Sequence, residues 1–402
     1  MASKDTENGP NADDLLQQLR TIRSSLDQCT SLEDDARRAI SSEARALSQD
    51  LETPGQILAR TLWRPWEILC LKVALDMGLL RILAASQKPR SATDLASLCG
   101  VEELFMERLL RCMAAFGTLH ETATEEGVIY EANKISRLYA TEAGISHMNY
   151  VYAMLHRGWY QVPQKLRDND YRSLTTSTHT VYADIEKKPG SNFWELLTPE
   201  QIQTCNTFFP FWNPDHRSWL DIYPAEERFV RDATKDRDAA LFVDVGGNTG
   251  NQAAAFRRRF PDAPGKVIVQ DLEPVLKNAE SGIDAIPHDF FTPQPVRGAR
   301  VYYLKAVMHD WSNDSNVKIL SHLRDAMKPG YSKILINEWV IPDHGASRLM
   351  AGQDFNLMAQ LGGEERSESR HREYIEAAGL KVVGVWDPKD GSTEAVIECE
   401  IA

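Results

Sequence analysis

Leu241-Phe242-Val243-Asp244-Val245-Gly246-Gly247-Asn248-Thr249-Gly250 is the stretch on which the reading of this chain turns. Its first five residues, mostly apolar and β-forming, read as a short buried strand, and the glycines after them allow a tight turn and close approach of backbone to a ligand. The spacing is not the G-x-G-x-x-G of a dinucleotide loop, and no lysine follows as a Walker loop requires. A glycine-rich turn of purely structural role stays open on these residues alone. Downstream, KVIVQD (266–271), RVYYLK (300–305) and KILINEWVI (333–341) are short β-rich runs separated by helical stretches. Strands alternating with helices predict an α/β fold with a doubly wound, mostly parallel sheet. After a helix over 368–378, LKVVGVW and TEAVIECEIA, joined by the turn DPKDGS (387–392), predict a terminal hairpin with an antiparallel strand.

Ligands of such sheets bind at the carboxyl ends of the strands, so the residues there are the candidates for chemistry. Asp271 ends the second strand in VIVQDLE, at the interval where a carboxylate can accept hydrogen bonds from a ribose, and Asp289 ends the segment AIPHDF. Either acid alone reads equally as a solvated loop residue. The run from Tyr303 to Trp311 carries His309 to the sheet edge, where a neutral imidazole can take a proton near neutral pH. A histidine that only caps the next helix is the competing reading. Glu338 in ILINEWV and Glu365 in GGEERS are the acids that could fix its tautomer and stabilise an imidazolium.

The chain upstream is helical. Leu15, Leu16, Leu19, Ile22 and Leu26 recur at helical spacing behind a capping Asn11 or Asp13, and a second helical tract spans roughly 31–50 before Pro54 and Gly55 break it. The apolar run from Ile57 to Leu83, which carries Trp63 and Trp66, reads as buried core. Within residues 91–140, Ser91 caps a short helix, Gly100 makes a turn, and Glu102 to Phe116 form a longer helix with Leu104, Leu109, Leu110 and Met113 inward. Two strands, near Thr118–Glu121 and Gly127–Glu131, complete the outline of a winged helix-turn-helix. In a DNA reader its second helix enters the major groove. Here that helix opens with Glu102, Glu103 and Glu107, carboxylates that repel phosphate, so packing or dimerisation is the expected use.

Residues 141–235 are dense in aromatics, among them Tyr150, Tyr152, Trp159, Tyr160, Trp194, Phe208, Phe209, Phe211, Trp212 and Trp219. They read either as helical core or as the wall of a ligand cavity against the sheet. Four segments result: a helical start over 1–53 with a disordered tip, a winged-helix-like domain over 54–145, a helical linker contributing to a substrate pocket over 146–235, and the sheet domain over 236–402.

The 402 residues are 43% hydrophobic, enough for a full core, and carry a formal charge of -13, which argues against binding nucleic acid or an anionic membrane. Six scattered cysteines form no C-x-x-C pair, so neither a zinc cage nor a disulfide framework is expected. With no signal-peptide order at the start and no long apolar stretch, the expected location is the cytoplasm.

Taken in this order, the motifs resemble the metal-independent small-molecule O-methyltransferases of plants and fungi, of the plant caffeate and fungal secondary-metabolite types. The resemblance covers roughly residues 55–400 and is strongest from Leu241 to Gly379. It implies a Rossmann-like class I methyltransferase domain, with a seven-stranded sheet, behind a winged-helix dimerisation domain. It implies S-adenosylmethionine as cofactor, with Gly246, Gly247 and Gly250 cradling the methionine part, Asp271 on the ribose, Asp289 and Phe290 at adenine, and Asp244, Leu272 and Lys305 also at the cofactor. His309 is the implied base, flanked by Glu338 and Glu365, and no metal is needed. One departure stands out: where the family usually carries a third glycine this chain has Asn248, which tolerates left-handed backbone better than other non-glycine residues.

The function expected is transfer of the sulfonium methyl to a hydroxyl of a small secondary metabolite, a phenol more readily than an aliphatic alcohol; VQDL and MHDWSND carry the resemblance that points to a polyketide or related metabolite. Met154, Trp159, Phe208, Trp212, Met308, Trp311, Asn356 and Met358 are the candidates for the acceptor pocket. A homodimer is expected, because apolar stripes at a chain end find a partner. Two readings compete: an enzyme of the same fold that keeps the cofactor but catalyses dehydration or pericyclic ring formation, and a non-enzymatic regulator that uses the winged module as an interaction surface.

Overall fold

The computed structural model describes residues 11–29, 31–209, 218–387 and 394–402, and the backbone divides into two compact units, Met1–Arg64 and Pro65–Ala402. In the first, helices Ala12–Gln28, Asp34–Asp50 and Pro54–Trp63 follow one another. Asn11 caps the first by accepting the Asp13 N–H, and a Thr53–Gln56 capping box starts the third. The stripe from Leu15 to Leu26 is exposed, as are Ile57, Leu58, Leu62 and Trp63. This corrects the expectation that the run from Ile57 is buried core. Pro65 opens a new helix, Pro65–Asp76, whose Trp66 is also exposed, and burial begins only at Cys70, Leu71 and Ala74.

The second unit opens with a winged module. Strands β1 (Arg90–Ser91), β2 (His120–Thr124) and β3 (Gly127–Glu131) form an antiparallel sheet in the order β1-β3-β2. A Ser91–Asp94 capping box starts helix Ala92–Cys99, and Gly100 at φ 68° ends it. Helix Glu103–Ala115 buries Met106, Leu109, Leu110 and Met113. Leu104, expected inward, is exposed, because it lies off the stripe that Met106 begins. Strand β2, expected from Thr118, also starts later: the Thr118 N–H and hydroxyl both bind the Met113 carbonyl, closing the helix end before pairing can begin at His120.

Seven further strands form one sheet: β4 (Ala240–Val245), β5 (Lys266–Asp271), β6 (Asp284–Pro287), β7 (Val301–Lys305), β8 (Lys333–Trp339), β9 (Leu380–Trp386) and β10 (Glu394–Ile401). Their order is β6-β5-β4-β7-β8-β10-β9, parallel except that β10 runs antiparallel to both neighbours. The expected class I fold with its terminal antiparallel strands is therefore present; most of the turn DPKDGS lies outside the described residues. Alternation along the strands builds two cores. Val243, Tyr302, Ile334 and Ile397 face helices Asn313–Ala326 and Glu368–Ala377 through Ile319, Leu323 and Tyr374. Phe242, Tyr303, Leu335 and Val396 face Trp219, Phe229 and Phe256 on the other side. No helix among the described residues is long and apolar enough to cross a membrane.

From β4 the chain winds outward through β5 and β6, then returns to place β7 on the other side of β4. Where the winding reverses, the loops after β4 and β7 diverge and leave a crevice at the carboxyl edge. The glycine stretch and the His309 turn are those two loops.

Candidate active site

The loop after β4 is held open by its own hydrogen bonds. Gly246 and Gly247 both donate to the Gln270 carbonyl, at 2.8 and 3.1 Å, and Gly246 and Gly250 adopt φ of 69° and 90°. A Cβ on Gly247 would lie 2.5 Å from the Asp244 carboxylate, so only glycine lets the loop fold over that acid. Asp244 Oδ2 accepts the Ala253 N–H, while Oδ1 is buried with no partner among the described residues. Burial pushes its carboxyl up to about 7, assisted by the Asp271 charge and opposed by the Ala253 N–H and Lys305. Asp271 accepts from the N–H groups of Asn248 and Leu272, and burial also raises its carboxyl. Leu272 is exposed at the strand end. Phe290 lies against Gly246 on one side and Trp311 on the other, and Asp289, exposed, accepts the Phe291 N–H. Lys305, at the end of β7, pairs with Glu394 at 2.9 Å.

The second loop is a short 3-10 turn, Met308–Asp310. Glu338, at the end of β8, builds it by accepting the Val307 and Met308 N–H groups on Oε1 at 2.9 and 2.7 Å. Its other oxygen lies 3.5 Å from His309 Nδ1, and Glu365 Oε1 lies 3.0 Å from the same nitrogen. The segment that brings Glu365 packs tightly on the turn. Glu364 donates its N–H to the His309 carbonyl, and buried Arg366 donates to the carbonyls of Met308, Trp311 and Glu364 and to Asn313 Oδ1.

Sequence reasoning missed the group on the other ring nitrogen. His309 Nε2 lies 3.4 Å from Asp310 Oδ1, and the Trp194 side chain hydrogen-bonds that carboxyl. Burial raises the Asp310 carboxyl to about 7, with His309 opposing. For His309, burial lowers the imidazole pKa, but Glu365, Glu338 and Asp310 outweigh it and raise it well above 6.5. Ligand-type atoms of His309, Glu338 and Glu365 lie within 4.8 Å of one another.

The acceptor candidates separate. Met154 and Phe208 share one buried cluster with Tyr150, Leu357 and Leu361, and Tyr150 stacks on Phe208 at 4.0 Å. Trp194 packs against both this cluster and the sheet core, linking it to Asp310. Met308 and Trp311 belong to the sheet core, and Met358 to a small cluster with Leu174 and Val181. Trp159, partly exposed, donates to Asn356 Oδ1 at 3.2 Å. Trp212 lies outside the described residues. Gln360, which no sequence pattern marks, is 2% exposed, and neither amide atom has a partner among the described residues.

Residues 232–381 match an O-methyltransferase domain, and residues 66–142 an O-methyltransferase dimerisation domain. Over 369 residues the chain is 34% identical to methyltransferase cfoC of Aspergillus candidus, covering 90% of each. It is 30% identical over 372 residues to demethylsterigmatocystin 6-O-methyltransferase of Aspergillus flavus, covering 90% of this chain and 94% of that one. Among solved structures, LepI in complex with SAM superposes with a TM-score of 0.86 at 27% identity, over 98% of this chain and all of that one. A structure described as a pericyclic reaction enzyme gives 0.86 at 27% over 96% of this chain and all of its own, and OxaC with sinefungin and meleagrin gives 0.84 at 26% over 97% and 98%.

Proposed function

Because the chain belongs to the S-adenosylmethionine-dependent O-methyltransferases, we propose that it methylates a phenolic hydroxyl of a small secondary metabolite with His309 as the general base. The observation that carries this reading is the clamp on His309 Nδ1 by Glu365 at 3.0 Å, which leaves Nε2 as the atom to receive a proton. The loop after β4 fits the cofactor by its own chemistry. Gly247 keeps a cradle that any Cβ would fill, and Asp244 Oδ1 is a buried acceptor in want of a donor. Gly246, Gly250, Asp271, Leu272, Asp289, Phe290 and Lys305 are the other residues assigned to holding it.

When bound, the cofactor supplies an electrophilic sulfonium methyl. His309 takes the hydroxyl proton at Nε2 while Nδ1–H stays bonded to Glu365, so positive charge forms between carboxylates. The raised imidazole pKa favours a phenol, whose reference pKa is about 10: each unit by which the gap narrows removes ~1.4 kcal/mol from the proton transfer. Trp194, which hydrogen-bonds Asp310, packs against the cluster of Met154, Phe208 and Tyr150, and such an apolar wall favours an aromatic acceptor.

The test is incubation with S-adenosylmethionine labelled on its methyl group and a panel of phenolic polyketides, beside His309→Ala. Labelled ether from the parent, reduced about 10²–10⁴-fold in the variant, is the expected outcome. Equal labelling by both would remove His309 from the role of base.

A second reading has one observation in its favour, the full-length likeness to a pericyclic reaction enzyme. In that case the cofactor binds and the acceptor rearranges without gaining a methyl. Product mass decides: an increase of one methyl group supports transfer, and an isomer of unchanged mass supports ring formation.

A further inference from the structure

Asn248 occupies the place of the third glycine in the loop pattern, and it holds a left-handed backbone at φ 53°. Glycine would adopt that conformation without strain, so the side chain has to do something that glycine cannot. Two bonds and one unpaired atom describe it. Its N–H donates to Asp271 Oδ2 at 2.9 Å, its Nδ2 donates to Asn206 Oδ1 at 3.3 Å, and its Oδ1 is buried with no partner among the described residues. Asn206 sits on helix Pro199–Phe208, between Cys205 and Phe208, both buried in the aromatic cluster with Met154 and Tyr150. The backbone of this residue thus ties the glycine loop to the acid at the end of β5, as a glycine's would, and its side chain alone adds the link to the helix that builds the apolar wall.

We propose that Asn248 is a positioning residue that clips helix Pro199–Phe208 to the glycine loop, so that filling the loop orders the acceptor wall. The proposal rests on reading Gly246–Gly250 as the cofactor loop. The unsatisfied Oδ1 is the feature that makes the clip responsive: a buried acceptor without a donor is costly, and a donor on the occupant of the loop relieves that cost and fixes the rotamer that reaches Asn206. A loop with glycine at this position would hold its ligand without telling the neighbouring helix.

Hydrogen-exchange mass spectrometry on the full chain, with and without adenosylhomocysteine, reads this directly, and calorimetry on the same samples gives the affinity. The variants are Asn248→Gly, Asn206→Leu and Asn206→Asp, the last keeping an acceptor for Nδ2. In the parent, adenosylhomocysteine should protect both the glycine loop and helix Pro199–Phe208. Asn248→Gly and Asn206→Leu should bind about two- to tenfold more weakly, as loss of one neutral hydrogen bond implies, and protect the loop alone. Asn206→Asp should restore protection of the helix. Both positions are only partly buried, and protection of the loop in each variant reports that it has folded. Helix protection equal to the parent's in Asn248→Gly and Asn206→Leu would overturn the clip, as would its absence in the parent. A parent that binds no adenosylhomocysteine would instead remove the cofactor-loop reading, and the clip with it.

Discussion

His309 is a base surrounded by acids, and that arrangement sets when it can work. Its pKa is pushed down by burial and raised further by Glu365, Glu338 and Asp310, ending well above 6.5. The imidazole therefore holds its proton to higher pH than a free histidine and must lose it before it can act. The rate should rise with pH through a limb whose apparent pKa lies above 6.5, and Glu365→Gln should move that limb to lower pH while reducing the maximal rate. Removing a negative charge weakens the imidazolium, which gives the sign. A kcat/KM profile from pH 5.5 to 10 checks it, and a limb that stays in place would separate Glu365 from the titration. The same side chains bear on metal dependence. Glu338 Oε1 is already committed to two backbone N–H groups and Glu365 Oε1 to the imidazole, which leaves few oxygens for a hard cation that takes six or more. Activity is expected to stay within about twofold in EDTA; loss with recovery on adding magnesium would reverse that assignment. The positions of His309 and Glu338 were legible because strand grammar marks the ends of β7 and β8, whereas Glu365 lies in the loop between helices Arg348–Leu361 and Glu368–Ala377, where only the folded chain shows it beside His309. Asp310 was not legible, because the direction of a side chain in a 3-10 turn has no period to read.

At the scale of elements, the site depends on how closely two segments approach. An ideal Cβ on Gly363 would lie 2.1 Å from the His309 carbonyl oxygen, a backbone atom that cannot give way without moving the turn. Gly363→Ala should therefore displace the His309 turn relative to Glu365. A misplacement of about 1 Å costs on the order of 10² in rate, so kcat should fall by about that factor. Adenosylhomocysteine affinity should change by less than about threefold, because the glycine loop after β4 lies on other elements. A variant with unchanged kcat would show that the turn can yield. Element type was legible along the sheet because β4, β7 and β8 are buried on both faces and read as continuous apolar runs. Element ends were less so. Thr118 is β-branched, yet it serves the helix end before it, and Leu104 is apolar, yet Met106 starts the buried stripe. Local composition could not say which neighbour each residue would meet. Met308 and Trp311, next to the base in sequence, turn into the sheet core for the same reason, away from Met154 and Phe208.

At the scale of the molecule, what the chain leaves uncovered points to a second copy. Residues 66–142 match a dimerisation domain, and within them Leu98, Leu104, Phe105 and Val128 are large apolar side chains exposed to solvent. None of them contributes to the winged module's own core, which Met106, Leu109, Leu110 and Met113 fill from the same helix. An isolated exposed leucine needs no explanation, but Leu104 and Phe105 lie together at the start of one helix, beside Glu103. Light scattering at micromolar concentration should give twice the mass of a 45.3 kDa chain. Leu104→Glu combined with Phe105→Lys should shift the protein towards monomer. Its circular dichroism should not change, because neither side chain is part of the core. A parent that is monomeric would sink the homodimer outright. A dimer untouched by the double substitution would place the interface elsewhere, and the exposed stripe Leu15, Leu16, Leu19, Ile22 and Leu26 would be the next surface to charge.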